Sequence, residues 1–397
     1  MNEEKQNFLK NNLFLFDSYR CEYIKNIQES SFGGRQTIQV CLTTNTDVPL
    51  KFAFASNGKG LVLVGERGKL IADNLLGRLI SIKHGDSDAL LSYFENNGFF
   101  FPINENDSET IEVDTLFEVV KRLKATVELL NQVGELNPER KNYTKMLNLV
   151  MYLMFAPQLH LPEHDYFSAK HTFVEELDST DQSQDLEREQ EIFDTGAFVV
   201  PDTIYDKFSF DSDTYQSIAN GLGNTPGYDN PEFKRIVHYF ANEPYATEKH
   251  RKIVDFLFHY QMEVGIMRNF NTYGALDYYE TPLVDNFSAD LKKALIDVAK
   301  IVIGDEINAN ICHVHPAYDI KSMSPKWKVD SLMSALYFSI FYMNPEQELY
   351  RQCENPRCGN YFYVRSTATN KKYCSPACSN AMQQAKMRRR KKEQALQ

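Results

Sequence analysis

"CENPRCGNYFYVRSTATNKKYCSPACSNAMQQAKMRRRKK", residues 353–392, decides how the end of this chain folds. Its cysteines fall as Cys353-x4-Cys358, then fifteen intervening residues, then Cys374-x3-Cys378. A structural zinc ion takes four soft ligands in a tetrahedron, and two pairs of thiolates from two short turns supply them. Pro356 restricts the first turn, and Gly359 can take the backbone conformation needed as the chain leaves the metal. "YFYV" has strand propensity, "RSTATNKK" is polar enough to turn, and "YC" brings the chain back, which predicts a hairpin between the two cysteine pairs. Ser375-Pro376 reads as a helix start, with Ser375 as N-cap, Pro376 at the first helical position and Cys378 in the first turn. The expectation is a treble-clef-like finger in which Cys353, Cys358, Cys374 and Cys378 hold one structural zinc ion. Redox or disulfide chemistry, or four unliganded thiols, are the alternatives. Four cysteines fill the shell and leave no position for a catalytic water, so such a metal would hold the fold rather than react.

Good helix formers continue past Cys378, and Lys386, Arg388, Arg389, Arg390, Lys391 and Lys392 span almost two turns. They cannot share one helical face, so they form a collar of charge. That collar suits phosphate contacts, which give affinity and salt dependence without base selectivity. Arg365, Lys371 and Lys372 on the expected hairpin would extend the patch. A solvated helical end and contact with an acidic protein surface are the other readings.

The chain as a whole is acidic, with 397 residues and a formal net charge of −11. The imbalance is uneven: residues 351–397 carry +9 and residues 1–350 carry −20. A hydrophobic fraction of 43% with 13% aromatics is ample for a core and excludes a disordered chain. Seven cysteines, an odd number with four clustered, do not make a disulfide framework and fit a reducing, cytoplasmic setting. No apolar run approaches membrane-span length and the N-terminus lacks a signal-peptide core, so neither a leader nor a membrane partner is expected.

The fold expectation is α+β: a predominantly helical body, a small mixed N-terminal sheet region and the C-terminal finger. Residues 1–110 read as mixed α/β, 111–345 as mainly helical with an acidic linker or loop near 175–195, and 346–397 as finger and basic helix. "PLKFAFA" and "LVLVG" read as strands joined by a glycine turn, and "LIADNLLGRLISI" as a helix. "DALLSYFENNG" reads as a helix stopped at Gly98, followed by an apolar strand or buried loop in "FFFPI". Leu116, Val119, Val120, Leu123, Val127 and Leu130 recur at helical spacing, and "YTKMLNLVMYLMFAP" gives a helix ending before Pro157. Further helices are expected near 231–241 and 247–264, after Ser288 as N-cap, and from Asp330 or Ser331 to Asn344, the last buried between other helices.

The segments "RQCENPRCGNYF" and "KKYCSPACSNAMQQAKMRRRKK", roughly residues 351–392, resemble the bacterial CGNR zinc finger proteins. That family often pairs the finger with a larger N-terminal ABATE domain and is proposed to regulate transcription under stress. The resemblance implies that Cys353, Cys358, Cys374 and Cys378 ligate zinc and that the basic helix contacts DNA. The family usually has Gly-Asn-Arg after its last cysteine, whereas Ser379-Asn380-Ala381 stand here, and Cys-Gly-Asn falls at 358–360 in the other half-site. The closing pair is also one residue shorter than is usual in the family.

Elsewhere, Cys312, His313 and His315 have the residue types of a transition-metal site, and His160 and His164 are spaced like helical ligands but interrupted by Pro162. There is no Walker A motif, dinucleotide fingerprint or HExxH, the Gly-rich turns at 58–68 lack a phosphate-binding lysine and hydroxyl, and no nucleophile has a legible base partner. A DNA-binding regulator is therefore the leading expectation, a non-enzymatic protein-interaction scaffold with a structural finger is the alternative, and an enzyme with an unrecognised site is the lesser one.

Overall fold

A computed structural model describes residues 12–29, 36–55, 60–65, 70–103, 108–135, 141–161, 164, 166–169, 197–200, 208–211, 248–264, 267–269, 277–278, 287–320, 323–343, 348–365 and 371–395. The chain forms two compact units, one of residues 1–136, 159–168 and 307–397, the other of residues 137–158 and 169–306.

The first unit opens with an antiparallel sheet of β1 (Asn12–Glu29), β2 (Gln36–Ala55), β3 (Gly60–Val64) and β4 (Leu70–Asn74), paired in that order, with β5 (Glu109–Glu112) also on β2. The two strands expected from "PLKFAFA" and "LVLVG" are β2 and β3, with Phe52 opposite Leu63 and Ala55 opposite Gly60. "LIADNLLGRLISI" divides differently from its helical expectation. Leu70–Asn74 form β4, and a helix α1 (Leu75–Ile80) starts only after Asn74, whose side chain accepts from the Gly77 amide and caps it. Asn at that position ends the strand and begins the helix, so the apolar residues on either side serve two elements.

Helix α2 (Ser87–Asn97) stops at Gly98, where φ is 87° and an added Cβ would lie 2.5 Å from Ser18 Oγ. Phe99, Phe100 and Phe101 then form a buried loop rather than a strand. Helix α3 (Val113–Gly134) buries the stripe from Leu116 to Leu130 that its periodicity announced.

In the second unit, helix α4 (Tyr143–Phe155) ends before Pro157. The chain between the units' segments includes the short pair β6 (His160–Leu161) and β7 (Tyr166–Phe167), which belongs to the first unit. The second unit adds the pair β8 (Ala197–Val200) and β9 (Phe208–Asp211), helix α5 (Glu248–Glu263), the pair β10 (Met267–Asn269) and β11 (Asp277–Tyr278), and most of α6 (Ala289–Asn310). Ser288 caps α6 as expected, accepting from the Leu291 amide at 3.0 Å. The expected helix near 231–241 and the acidic segment near 175–195 lie outside the described residues.

The first unit closes with the hairpin β12 (His315–Asp319) and β13 (Ser324–Lys328), helix α7 (Leu332–Phe341), the hairpin β14 (Glu348–Gln352) and β15 (Tyr361–Arg365), and helix α8 (Pro376–Ala395). Ser331 caps α7, and every residue from Ser331 to Ile340 is buried. Its packing differs from the expected helical neighbours: α7 lies against strands β1 and β3, with Phe338 4.8 Å from Phe14 and 5.3 Å from Trp327. The architecture is thus an N-terminal sheet region, a large central helical body and a small C-terminal cysteine and strand region of treble-clef character.

Candidate metal centre

The first cysteine pair sits in the turn of the β14–β15 hairpin. Cys353 donates its amide to Asn360 O at 2.8 Å, extending the ladder one step past Gln352 and Tyr361. The amides of Cys358 and Gly359 both donate to Asn355 O, at 2.9 and 3.2 Å. This tight turn needs a positive φ at its exit, and Gly359 supplies it at 64°. The strand partner of "YFYV" is therefore Glu348–Gln352, upstream of the metal ligands, and not the returning "YC" expected from the sequence. Residues 371–374 instead join the turn through Lys372 O, which accepts from the Glu354 amide at 3.0 Å.

The second pair is placed by a helix start. Cys374 precedes α8, and Ser375 caps it by accepting the Cys378 amide on its hydroxyl at 3.3 Å and the Ser379 amide on its carbonyl at 3.2 Å. Pro376 takes the first helical position, where its missing N–H costs nothing.

Together these turns bring the four sulfurs within 4.8 Å of one another, with Cys358 3.6 Å and Cys378 3.7 Å from Cys374. A tetrahedral centre with metal–sulfur bonds of ~2.3 Å has edges of roughly 3.8 Å, so the cluster has the size of a four-cysteine metal site. A disulfide needs roughly 2.05 Å, which these separations exceed, and all four are free thiols. Burial, followed by hydrogen bonding with the neighbouring thiols, pushes Cys374 up to about 12, and burial also raises Cys358. Hydrogen bonds with Asn355 and Ser375 bring Cys378 down to about 7. Cys358 and Cys374 therefore hold their protons until a cation replaces them, so metal uptake by this donor set releases protons and tightens as pH rises.

The hairpin is fastened to the body of its own unit. The Tyr350 hydroxyl donates to Asn74 Oδ1 at 2.7 Å, its amide donates to Asn131 Oδ1 at 3.1 Å, and its carbonyl accepts from Asn131 Nδ2 at 2.6 Å. Tyr361 donates its amide to Ser81 Oγ at 2.7 Å and its hydroxyl to Glu128, while Lys124 Nζ lies 5.1 Å from its ring centroid. Gly77 keeps this approach close: a Cβ there would lie 3.1 Å from Tyr361 O, a tight contact. Leu349, Tyr350, Tyr361 and Val364 are all buried. Asn74, Ser81, Asn131 and Glu128 were not singled out from the sequence, because their partners lie more than two hundred residues away.

The basic residues fall in two settings. Arg365 is exposed at the end of β15, Lys371 Nζ lies 5.3 Å from the Phe362 ring centroid, and Lys372 pairs with Glu354 at 3.4 Å. Lys386, Arg388, Arg389 and Arg390 are exposed on α8, Lys391 and Lys392 continue the same helix, and all residues from 383 to 390 are exposed.

Residues 350–391 match the family model of the CGNR zinc finger. The C-terminal module is a CGNR zinc-finger domain. The match spans β14 from Tyr350 through most of α8, Ser379-Asn380-Ala381 included. No curated protein and no solved structure matches the chain.

Outside the CGNR finger, the other candidate ligands do not converge. Among the described residues, the four finger cysteines form the group of His, Cys, Asp or Glu able to hold a metal. Cys312 is exposed and directs its thiol to Ala309 O at 3.2 Å, and His313 and His315 are exposed. His160 stacks on Phe167 at 4.1 Å and His164 on Phe101 at 4.7 Å, so both rings serve aromatic packing. No helix among the described residues is long and apolar enough to cross a membrane.

Proposed function

We propose that this protein is a DNA-binding transcriptional regulator in which one zinc ion builds the CGNR finger and the finger presents α8 to duplex DNA. The observation that carries this reading is the exposure of residues 383–390 around the whole helical circumference, in a segment holding Lys386, Arg388, Arg389 and Arg390. A helix with no buried face has no core to serve, and one this basic has a phosphate backbone as its natural counterpart. B-DNA's major groove accepts an α-helix, and Arg365, Lys371 and Lys372 of the finger supply further cations for backbone contact. The −20 on residues 1–350 keeps the rest of the chain from competing for the same phosphates. Zinc is the metal this donor set selects, since four thiolates in a tetrahedron suit it and leave no open position for chemistry. Free thiols throughout the described chain fit a reducing, cytoplasmic compartment.

The test is a fluorescence-anisotropy titration of labelled duplex between about 50 and 200 mM salt, using the full chain and a variant with Gln at 386, 388, 389, 390, 391 and 392. If four to six of these residues meet phosphates, log K falls with log salt at a slope of roughly −3.6 to −5.4, or about 10²–10³-fold over that range. The variant is expected to lose most of that slope. Equal weak binding by both proteins with no salt dependence would overturn the reading, and retention of α8 by an acidic protein partner under those conditions would favour the scaffold alternative.

A further inference from the structure

We propose that the first unit carries a second binding site, for a small organic amine bearing an aromatic ring, in the cleft between β1 and the start of α7. The cleft holds about 400 Å³ and is partly open to solvent, a volume within the roughly 300–1,000 Å³ range of small-molecule sites. Its walls are Phe16 and Tyr19 of β1, the loop residues Phe99 and Phe101, and Leu332 at the head of α7.

The polar groups in those walls select the ligand's charge. Asp17 and Asp330 contribute carboxylates, Ser18, Thr44 and Ser331 contribute hydroxyls, and no lysine, arginine or histidine among the described residues lines the space. Lys51 lies 3.6 Å from Asp17 and Lys328 lies 3.2 Å from Asp330, but both pairs are solvent-exposed and such pairs are weak. A ligand ammonium entering the cleft exchanges with these lysines at Asp17 and Asp330, with the aromatic rings of the walls beside it for cation–π contact.

The helix end in the wall does not offer an anion site. The Met333 amide donates to Phe100 O at 3.0 Å, the Ser334 amide to Ser331 Oγ at 3.0 Å, and the Ala335 amide to Ser331 O at 3.0 Å. The Met333, Ser334 and Ala335 amides, which would otherwise attract a carboxylate or phosphate, are therefore consumed by the protein itself. What remains is an acceptor-rich, aromatic cleft, and its complement is a donor-bearing cation with an apolar body.

Isothermal titration calorimetry on the full chain tests this with three probes of one shape: 1-naphthylmethylamine, 1-naphthalenemethanol and 1-naphthoate. The amine is expected to bind at least about tenfold tighter than the neutral alcohol or the anion. D17N and D330N, checked for an unchanged thermal midpoint, should each weaken the amine about fivefold or more and leave the alcohol where it was. Absence of amine binding up to about 5 mM, equal binding of the alcohol or naphthoate, or amine affinity unaffected by either variant would each overturn the proposal. None of these outcomes depends on DNA binding by α8.

Discussion

Removing the metal is expected to divide the finger between β15 and α8. Two of the four sulfurs come from the hairpin turn and two from the entry to α8, and a structural zinc site of this type has an apparent binding energy of about 10–16 kcal/mol. Among its described residues, α8 is mostly exposed. Residues 383–390 face solvent, and the like-charged pair four apart, Lys386 with Arg390, opposes the helix by about 0.2–0.5 kcal/mol. A single helix of 20 residues in water is only somewhat longer than the roughly 12–15 below which even Ala-rich helices are marginal. The hairpin, in contrast, retains its hydrogen bonds to Asn74, Ser81 and Asn131, worth about 1 kcal/mol each, and the one to the Glu128 carboxylate, worth about 1.5–3 kcal/mol. Amide hydrogen exchange, measured by mass spectrometry or NMR with and without a chelator, reads both halves. The Cys378 and Ser379 amides, bonded to Ser375, should exchange at least about 100-fold faster without metal, a change of roughly 2.8 kcal/mol. The Tyr350 and Tyr361 amides, bonded to Asn131 and Ser81, should change less than about threefold. Acceleration of all four together, or of none, refutes the reasoning.

Tyr361→Phe removes the bond to Glu128 and should destabilise the first unit by about 1.5–3 kcal/mol at pH 7, followed by urea unfolding on Trp327, the chain's single tryptophan. Burial, then the Glu128 bond and charge, raise the Tyr361 phenol above its ordinary 10.0. The folded state therefore favours the neutral phenol: its contribution is whole below about pH 10 and is lost as pH rises beyond that, a loss the Phe variant should not show. An unchanged urea midpoint at pH 7 would count against the assignment. Gly98→Ala places a Cβ 2.5 Å from Ser18 Oγ and 2.6 Å from Tyr19 O at a φ of 87°, and should destabilise the first unit by about 2–4 kcal/mol in the same urea unfolding; a variant as stable as the parent would show that β1 and α2 adjust freely there.

Features governed by neighbours in sequence were the legible ones. Ser375-Pro376 announced the start of α8, Gly359 the positive φ at the turn's exit, and the stripe from Leu116 to Leu130 the buried face of α3. The four ligands were legible because paired cysteines and turn residues lie within a few positions of each other. Strand pairing was not. "YFYV" has no local mark choosing Glu348–Gln352 over the returning "YC", since period-2 patterning sets a strand's face and not its partner. "LIADN" carries enough apolar residues for helix or strand, and Asn74 as a cap was the signal that separates it from α1. α7 is apolar on every side, which predicts burial but not the sheet it packs against. The seat of the finger on α1 and α3 depends on Asn74, Ser81, Glu128 and Asn131, polar residues whose role exists only once distant segments meet.

That seat makes the finger a poor cassette. A cut ahead of Glu348 would leave two wounds: a body with Asn74, Ser81, Asn131 and Glu128 deprived of their mates, and an excised hairpin with Tyr350 and Tyr361 turned into water. Grafting these forty-odd residues onto a foreign protein would therefore transfer the cysteines without the socket that orients them. Chimeras built to exchange specificity between relatives should keep α1, α3 and the finger on the same side of the junction, because inheritance of one without the others separates partners that fold as a piece.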